Sequence, residues 1–329
     1  MAASYTCYSQ SGKGAVARGP ITPGLALIGG PPEGPPPEVD AALAWLFAKS
    51  GWGRVVVIGA DGSDEYGRYV YGNLPPPHPV SVDTLIFKSR DAASDPAVLQ
   101  TIRGADALFI QGGDQWDYVR MWKDTPVQDA INDVLRRGVP VGGSSAGLAV
   151  LGEFLFSARN GSVSAGEALA DPYDECVTLD RLLIDSPKLD APYAYLRNVI
   201  TDSHFHDRKR MGRLLAFMAR LAEDGWTRAA CAIAVDEMTA VLVDADGLAK
   251  VVDQRPESSR GSACFLRAPG PAQACRRGQP LHYEAVSVYQ LRAGEVGASF
   301  DLRAWRGRGG ASYRVSARQG AVCSAILVK

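Results

Sequence analysis

The stretch Val139-Pro140-Val141-Gly142-Gly143-Ser144-Ser145-Ala146-Gly147 passes from a β-branched run into small residues, and Leu148-Ala149-Val150-Leu151 continues in helix-forming residues. This order predicts a strand, a tight turn and a helix, with Ser145 at the turn. Residues 143–147 fit the pattern G-x-S-x-G, a nucleophile elbow. The neighbours must be small because the serine backbone is strained there, and a large side chain would strike the strand or the helix. The elbow lifts the hydroxyl clear of the sheet and aims the next N–H groups, that of Ala146 first, at the same point. A nucleophile then lies beside an oxyanion site at a helix N-terminus.

A serine needs a base, and the chain has four histidines. His78 sits in the stiff segment Pro75-Pro76-Pro77-His78-Pro79, and His282 follows Pro280 among C-terminal strands. His204 closes the apolar run Val199-Ile200-Thr201-Asp202-Ser203, and a basic amphipathic helix opens over Asp207 to Met218. Open α/β sheets form their active sites at the carboxyl ends of strands. His204 is therefore the candidate base, with His206 as the alternative, and the rate is expected to rise with pH through an apparent pKa near neutrality, because only neutral imidazole accepts the proton. A third strand end is Ala107-Leu108-Phe109-Ile110 followed by Gln111-Gly112-Gly113-Asp114-Gln115. Two glycines let backbone approach a ligand, so the N–H groups of Gly113 or Asp114 are candidates for the second half of the oxyanion site.

These three landmarks, in this order, resemble the cyanophycinase group of serine exopeptidases, related to dipeptidase E. That group carries a G-G-D-Q segment, a G-x-S-A-G elbow, and a D-Q-H-F segment leading into a basic helix. The matching residues are Gly112-Gly113-Asp114-Gln115, Gly143-Ser144-Ser145-Ala146-Gly147, and Asp202-Ser203-His204-Phe205 running on to Arg208 and Met211-Gly212-Arg213-Leu214. The resemblance covers roughly residues 25–245. One departure is Ser203, where the family has glutamine.

The resemblance implies a Ser-His-acid acyl-enzyme mechanism, with the acid between serine and histidine in sequence. Glu167 in Ser164-Ala165-Gly166-Glu167 is the choice for it, with Asp171 and Asp174 open. It also implies hydrolysis of cyanophycin, multi-L-arginyl-poly-L-aspartate, or of related β-aspartyl peptides, to β-Asp-Arg-type dipeptides. Gln115, Asp202, Ser203, Arg208 and Arg213 are then expected to bind substrate. Arg208 and Arg213 are five residues apart, roughly 500° on an ideal helix, so they share a face only if the segment begins irregularly. No cofactor and no metal is implied. Three alternatives remain: an isoaspartyl or N-terminal-Asp dipeptidase, an α/β-hydrolase-type esterase, and a catalytically dead ligand-binding homologue.

Apolar strands alternate with helical patterns through the first two thirds of the chain. The expected fold is α/β: a doubly wound, mostly parallel sheet with helices on both faces, of the class I glutamine amidotransferase-like or flavodoxin-like kind, extended by a β-rich C-terminal portion. The expected organisation is an irregular N-terminal segment over 1–22, a catalytic α/β core over 23–229 and a C-terminal extension over 230–329 packed on the core. Pro31 to Pro37 reads as a rigid loop, and Ala60 to Gly67 as a Gly/Asp-rich loop. Neither a G-x-G-x-x-G nor a Walker pattern occurs, which argues against dinucleotide or nucleotide folds.

With 329 residues, 46% hydrophobic and 22% charged, the chain can bury a substantial core. A net charge of −1 without a basic tract gives no nucleic-acid surface, and no apolar run reaches membrane-spanning length. The expected partner is a peptide or polymer substrate, and a homodimer remains open. None of the six cysteines forms a C-x-x-C pair. Cys264 and Cys275 flank a Pro/Gly loop and form a candidate disulfide, which together with the start Met1-Ala2-Ala3-Ser4 points to a periplasmic or secreted protein rather than a cytoplasmic one.

Overall fold

The computed structural model describes residues 3–11, 19–32, 39–183, 192–255 and 260–326. Most of the expected Pro31–Pro37 loop lies outside the described residues. The strands are β1 (Tyr5–Ser11), β2 (Gly24–Ile28), β3 (Arg54–Gly59), β4 (Ser81–Phe87), β5 (Ala107–Ile110), β6 (Val141–Ser144), the short pair β7 (Leu155–Phe156) and β8 (Leu179–Asp180), β9 (Val199–Asp202), β10 (Cys231–Val235), β11 (Thr239–Asp244), β12 (Leu248–Asp253), β13 (Ser262–Arg267), β14 (Tyr283–Arg292), β15 (Ser299–Asp301), β16 (Arg306–Arg308), β17 (Ala311–Arg318) and β18 (Ala321–Ile326). The α-helices are α1 (Asp40–Lys49), α2 (Glu65–Gly72), α3 (Pro96–Arg103), α4 (Gln115–Trp122), α5 (Pro126–Arg136), α6 (Ala146–Ala149), α7 (Ala165–Ala170) and α8 (Met211–Glu223).

The main sheet has the order β1-β4-β3-β5-β6-β2-β11-β12-β15-β16. Its centre, β4-β3-β5-β6-β2, is parallel throughout. Side chains alternate across these strands. Val56, Ile58, Leu108 and Ile110 face α3 and α5, whose Val98, Ile102, Ile131 and Val134 join the same core. Val55, Val57 and Phe109 face the other way, onto Leu43 and Leu46 of α1 and Val70 of α2. Helices therefore cover both faces, as a parallel sheet requires. Asp95 starts α3 by accepting from Ala97 N at 2.8 Å, ahead of a proline at the first turn.

Three boundaries differ from expectation. Tyr5–Ser11 is not irregular; it is an antiparallel edge strand on β4. The loop expected over Ala60 to Gly67 turns helical from Glu65. Aromatic residues explain this, since Tyr66 packs on Phe109 with ring centroids 5.0 Å apart. Residues 230–329 do not form one extension. β11, β12, β15 and β16 continue the main sheet, while β10, β13, β14, β17 and β18 join β9 in a second, six-stranded sheet. β9 and β10 pair in parallel, so the expected boundary at 230 falls inside a sheet.

Cys264 and Cys275 are both buried and both free, so the disulfide and the compartment argument built on it do not follow. Cys264 faces the Tyr313 hydroxyl at 3.8 Å, and burial pushes its thiol up to about 12. Among the described residues, no helix is long and apolar enough to cross a membrane.

Candidate active site

The two sheets meet where the chain crosses from β10 to β11, and the site lies at that crossing. Ser145 follows β6 of the main sheet, His204 follows β9 of the second sheet, and Glu237 sits in the crossing turn. Ser145 adopts φ 51° and ψ −111°, a conformation costly for a residue with a side chain. Its elbow fits only because the flanking backbone approaches so closely. A Cβ on Gly143 would lie 2.4 Å from Gly147 O, and one on Gly147 would lie 2.0 Å from Ile110 O. The G-x-S-x-G pattern is thus a packing requirement of strand against helix.

Ser145 Oγ lies 2.7 Å from His204 Nε2, and His204 Nδ1 lies 2.7 Å from Glu237 Oε1. An ionised carboxylate only accepts, so Nδ1 carries the proton and Nε2 is left to accept from the serine. The imidazole is nearly inaccessible, with 3% of its residue surface exposed. Burial pushes its pKa from 6.5 to about 4; Arg208 and Arg210 push the same way, and the bond to Glu237 opposes them. This direction lies below the expected titration near neutrality, a difference that the pH profile of turnover tests.

Gly29 and Gly30, just past β2, hold the three parts together. Ser145 N donates to Ile28 O, His204 N to Gly29 O and Met238 N to Gly30 O. Gly30 has φ +97°, and a Cβ there would lie 2.7 Å from both Cε1 and Nε2 of His204. The Ser145 N–H is therefore engaged and does not point into the site. The first N–H groups of α6, on Ala146 and Gly147, have no acceptor within the helix. Gly112 borders them: a Cβ on it would lie 3.6 Å from Ser145 Cβ. Gly113 follows with φ +148°, and buried Tyr118 anchors this turn, its hydroxyl 2.8 Å from the carbonyls of Gln111 and Gly112. Asp114 uses its side chain to cap α4 through Trp116 N.

The other expected site residues separate. Glu167 does not reach the histidine. It is exposed and closes a capping box at the start of α7, its carboxylate accepting from Ser164 N at 2.8 Å while Ser164 Oγ accepts from Glu167 N. The S-x-x-E signature of a helix start explains its position better than catalysis does. Asp171 and Asp174 cap their own turn. Asp202 and Arg213 form a buried bidentate ion pair, and Arg213 also stacks over Phe156 and Phe217. Both are committed to the fold and neither offers a free charge to a ligand. Ser203 is buried beside Arg210. Gln115 starts α4 with its amide donating to Phe156 O at 3.3 Å. Arg208 is half-exposed, with Nε 3.4 Å from Glu237 Oε1. The segment between His204 and Met211 is a run of turns, which is why Arg208 and Arg213 point to different places. His206 makes its own pair with Asp236 at 2.7 Å, away from the serine. Glu237 is absent from the sequence-level candidates. The signal for it is Val235-Asp236-Glu237, acids ending an apolar strand, but it follows the histidine, outside the serine-to-histidine interval that the resemblance implies. Among the described residues no group of three or more His, Cys, Asp or Glu side chains is placed to hold a metal.

The family model described as peptidase family S51 matches residues 61–168, a span that includes the elbow and stops short of His204. The cyanophycinase of Trichormus variabilis is 30% identical over 215 residues, 64% of this chain and 61% of that protein. The cyanophycinase of Nostoc sp. gives the same values, and that of Synechococcus elongatus is 26% identical over 212 residues, 64% of this chain and 56% of that protein. The chain thus spans less than two thirds of the length of these curated relatives. A solved peptidase from an acI-B1 Actinobacterium shares the fold with a TM-score of 0.51 over 85% of this chain and 97% of that chain, at 16% identity.

Proposed function

We propose that the chain is a serine peptidase of the cyanophycinase kind and that it hydrolyses peptide bonds through Ser145, His204 and Glu237. The observation that carries this reading is the unbroken relay from serine hydroxyl to imidazole to carboxylate, 2.7 Å at each step. Ser145 Oγ attacks the substrate carbonyl while His204 Nε2 takes its proton. The imidazolium that forms is stabilised by Glu237, which also fixes the ring. Negative charge developing on the carbonyl oxygen is met by the N–H of Ala146 and an N–H of the Gly113–Asp114 turn. His204 then returns the proton to the leaving amine, which departs and leaves an acyl-enzyme. Water activated by the same imidazole releases the acid and restores Ser145.

The substrate proposal draws support from the relatives, which bear the name cyanophycinase. Cyanophycin or a related β-aspartyl peptide is the proposed substrate, with β-Asp-Arg-type dipeptides as products. Arg208 supports this reading, because its guanidinium is half-exposed beside the triad, with Nε 3.4 Å from Glu237 Oε1. Its remaining donors suit a substrate carboxylate. The test is incubation with cyanophycin, β-Asp-Arg, β-Asp-Leu and Asp-Leu, with mass spectrometry of the products. Release of β-Asp-Arg from the polymer supports the proposal. Cleavage of isoaspartyl dipeptides alone keeps the mechanism and replaces the substrate, and cleavage of none removes the functional reading.

A further inference from the structure

Glu237 is held by more than its histidine. Its backbone N–H donates to Asp207 Oδ2 at 2.9 Å, and its carbonyl accepts from Arg255 Nε at 2.9 Å. Arg255 Nη2 in turn lies 2.8 Å from Asp207 Oδ1. One guanidinium thus spans the carbonyl of the acid-bearing turn and a carboxylate three residues past His204. Thr239 Oγ1 also donates to the Glu237 carbonyl, at 2.9 Å. Arg255 lies just beyond β12, in the C-terminal third of the chain, far in sequence from the elbow.

We propose that Asp207 and Arg255 are positioning residues that clamp the Glu237 turn onto the His204 loop and so keep the carboxylate on the imidazole. This inference rests on the triad reading above. The physical need for a clamp comes from Arg208. Its Nε is already 3.4 Å from Glu237 Oε1, close enough to compete for the carboxylate. An acid drawn onto Arg208 would release Nδ1 and let the ring turn away from Ser145. The side-chain bond alone does not prevent this, since Glu237 has rotatable bonds to spare. Fixing the Glu237 backbone at both its N–H and its carbonyl holds the base of the side chain at a constant distance from the ring, so the carboxylate stays within reach of Nδ1. Asp207 is on the same loop as His204, so base and acid are held in one frame.

The test uses the full chain with Asp207→Asn and with Arg255→Gln. Asp207→Asn keeps the shape and removes the charge that faces Arg255. Arg255→Gln, at a partly exposed site, serves if the first variant does not fold. In each, kcat is expected to fall about tenfold to a hundredfold, the effect of a displacement near an ångström, with KM within about twofold. The separate readout is the proton resonance of the His204 Nδ1–H in histidine-labelled protein, which hydrogen bonding to a carboxylate moves far downfield. It should move upfield or broaden in both variants while thermal unfolding stays cooperative. An unchanged resonance and kcat in a folded variant would overturn the clamp. The resonance reports geometry and not turnover. A response to Asp207 in a protein that cleaves no peptide therefore supports the clamp and counts against the peptidase reading instead.

Discussion

His204 Nδ1 and Glu237 Oε1 lie 2.7 Å apart, joining a loop of the second sheet to the turn that leads back into the main sheet. This contact selects the tautomer with a free Nε2 facing Ser145. Glu237→Gln keeps the size but can present an amide donor to the ring. The expected result is a fall in kcat of about 10³–10⁴-fold, as for loss of a triad acid, with little change in melting temperature. Glu167→Gln, at the start of α7, should leave kcat within about twofold and stability nearly unchanged, because a glutamine oxygen can still accept from Ser164 N and close the capping box. Steady-state kinetics on the two purified variants, side by side, distinguish the assignments; a larger effect from Glu167 would reverse them.

Gly30 packs directly against the His204 ring. Its φ of +97° and the 2.7 Å approach of a Cβ to the His204 ring leave no room for a methyl group. Gly30→Ala should therefore push the imidazole off Ser145. It is expected to lower kcat by roughly a hundredfold or more and to destabilise the fold by about 1–3 kcal/mol. Denaturant titration with kinetics on the same preparation reads both. A fully active Gly30→Ala would show that the glycine is not in contact with the dyad.

The pH dependence follows from burial of His204, which lowers its pKa to about 4. Only the neutral ring accepts the serine proton. Protonation of the folded protein begins well below pH 6, so the rate should be level from mildly acid to mildly alkaline pH and fall only on the acid side. In the unfolded chain the same histidine titrates at its ordinary value of 6.5. Between the two values the unfolded state binds more protons, so this group's contribution to stability declines as pH falls from about 6.5 toward 4. A kcat profile rising through neutrality would contradict the lowered value.

Asp202 and Arg213 have side chains only 5% exposed and face each other bidentately. Removing one partner leaves the other buried and uncompensated. Arg213→Ala is expected to cost about 3–5 kcal/mol and to leave KM of any folded fraction nearly unchanged. A substrate clamp would behave the opposite way, raising KM with little loss of stability. Chemical denaturation paired with Michaelis–Menten analysis decides between them.

The sequence made the elbow, the histidine and the glycine turn legible because each marks a strand end through local chemistry: small residues at strained backbone, polar residues after an apolar run. The parallel centre of the sheet followed from the same alternation. The acid was not legible in that way. Glu237 reaches His204 only because the chain crosses between sheets after β10, a tertiary event without a local pattern. Glu167 attracted attention through its place in the chain, yet its spacing from Ser164 already spelled a helix cap. Asp202 and Arg213 stand near a functional motif but pair with each other, and only burial reveals that. Gly30 ends the first parallel strand and its proximity to the dyad comes from β2 lying beside β6, again a matter of sheet order.

Ser145 as a nucleophile activated by His204 can be read out by a fluorophosphonate probe followed by peptide mapping. One label per chain is expected, on Ser145, lost in Ser145→Ala and strongly slowed in His204→Ala, with Ser144 unmodified. A folded protein that takes no label, or that takes it on Ser144 with Ser145 untouched, would rule out Ser145 as the nucleophile.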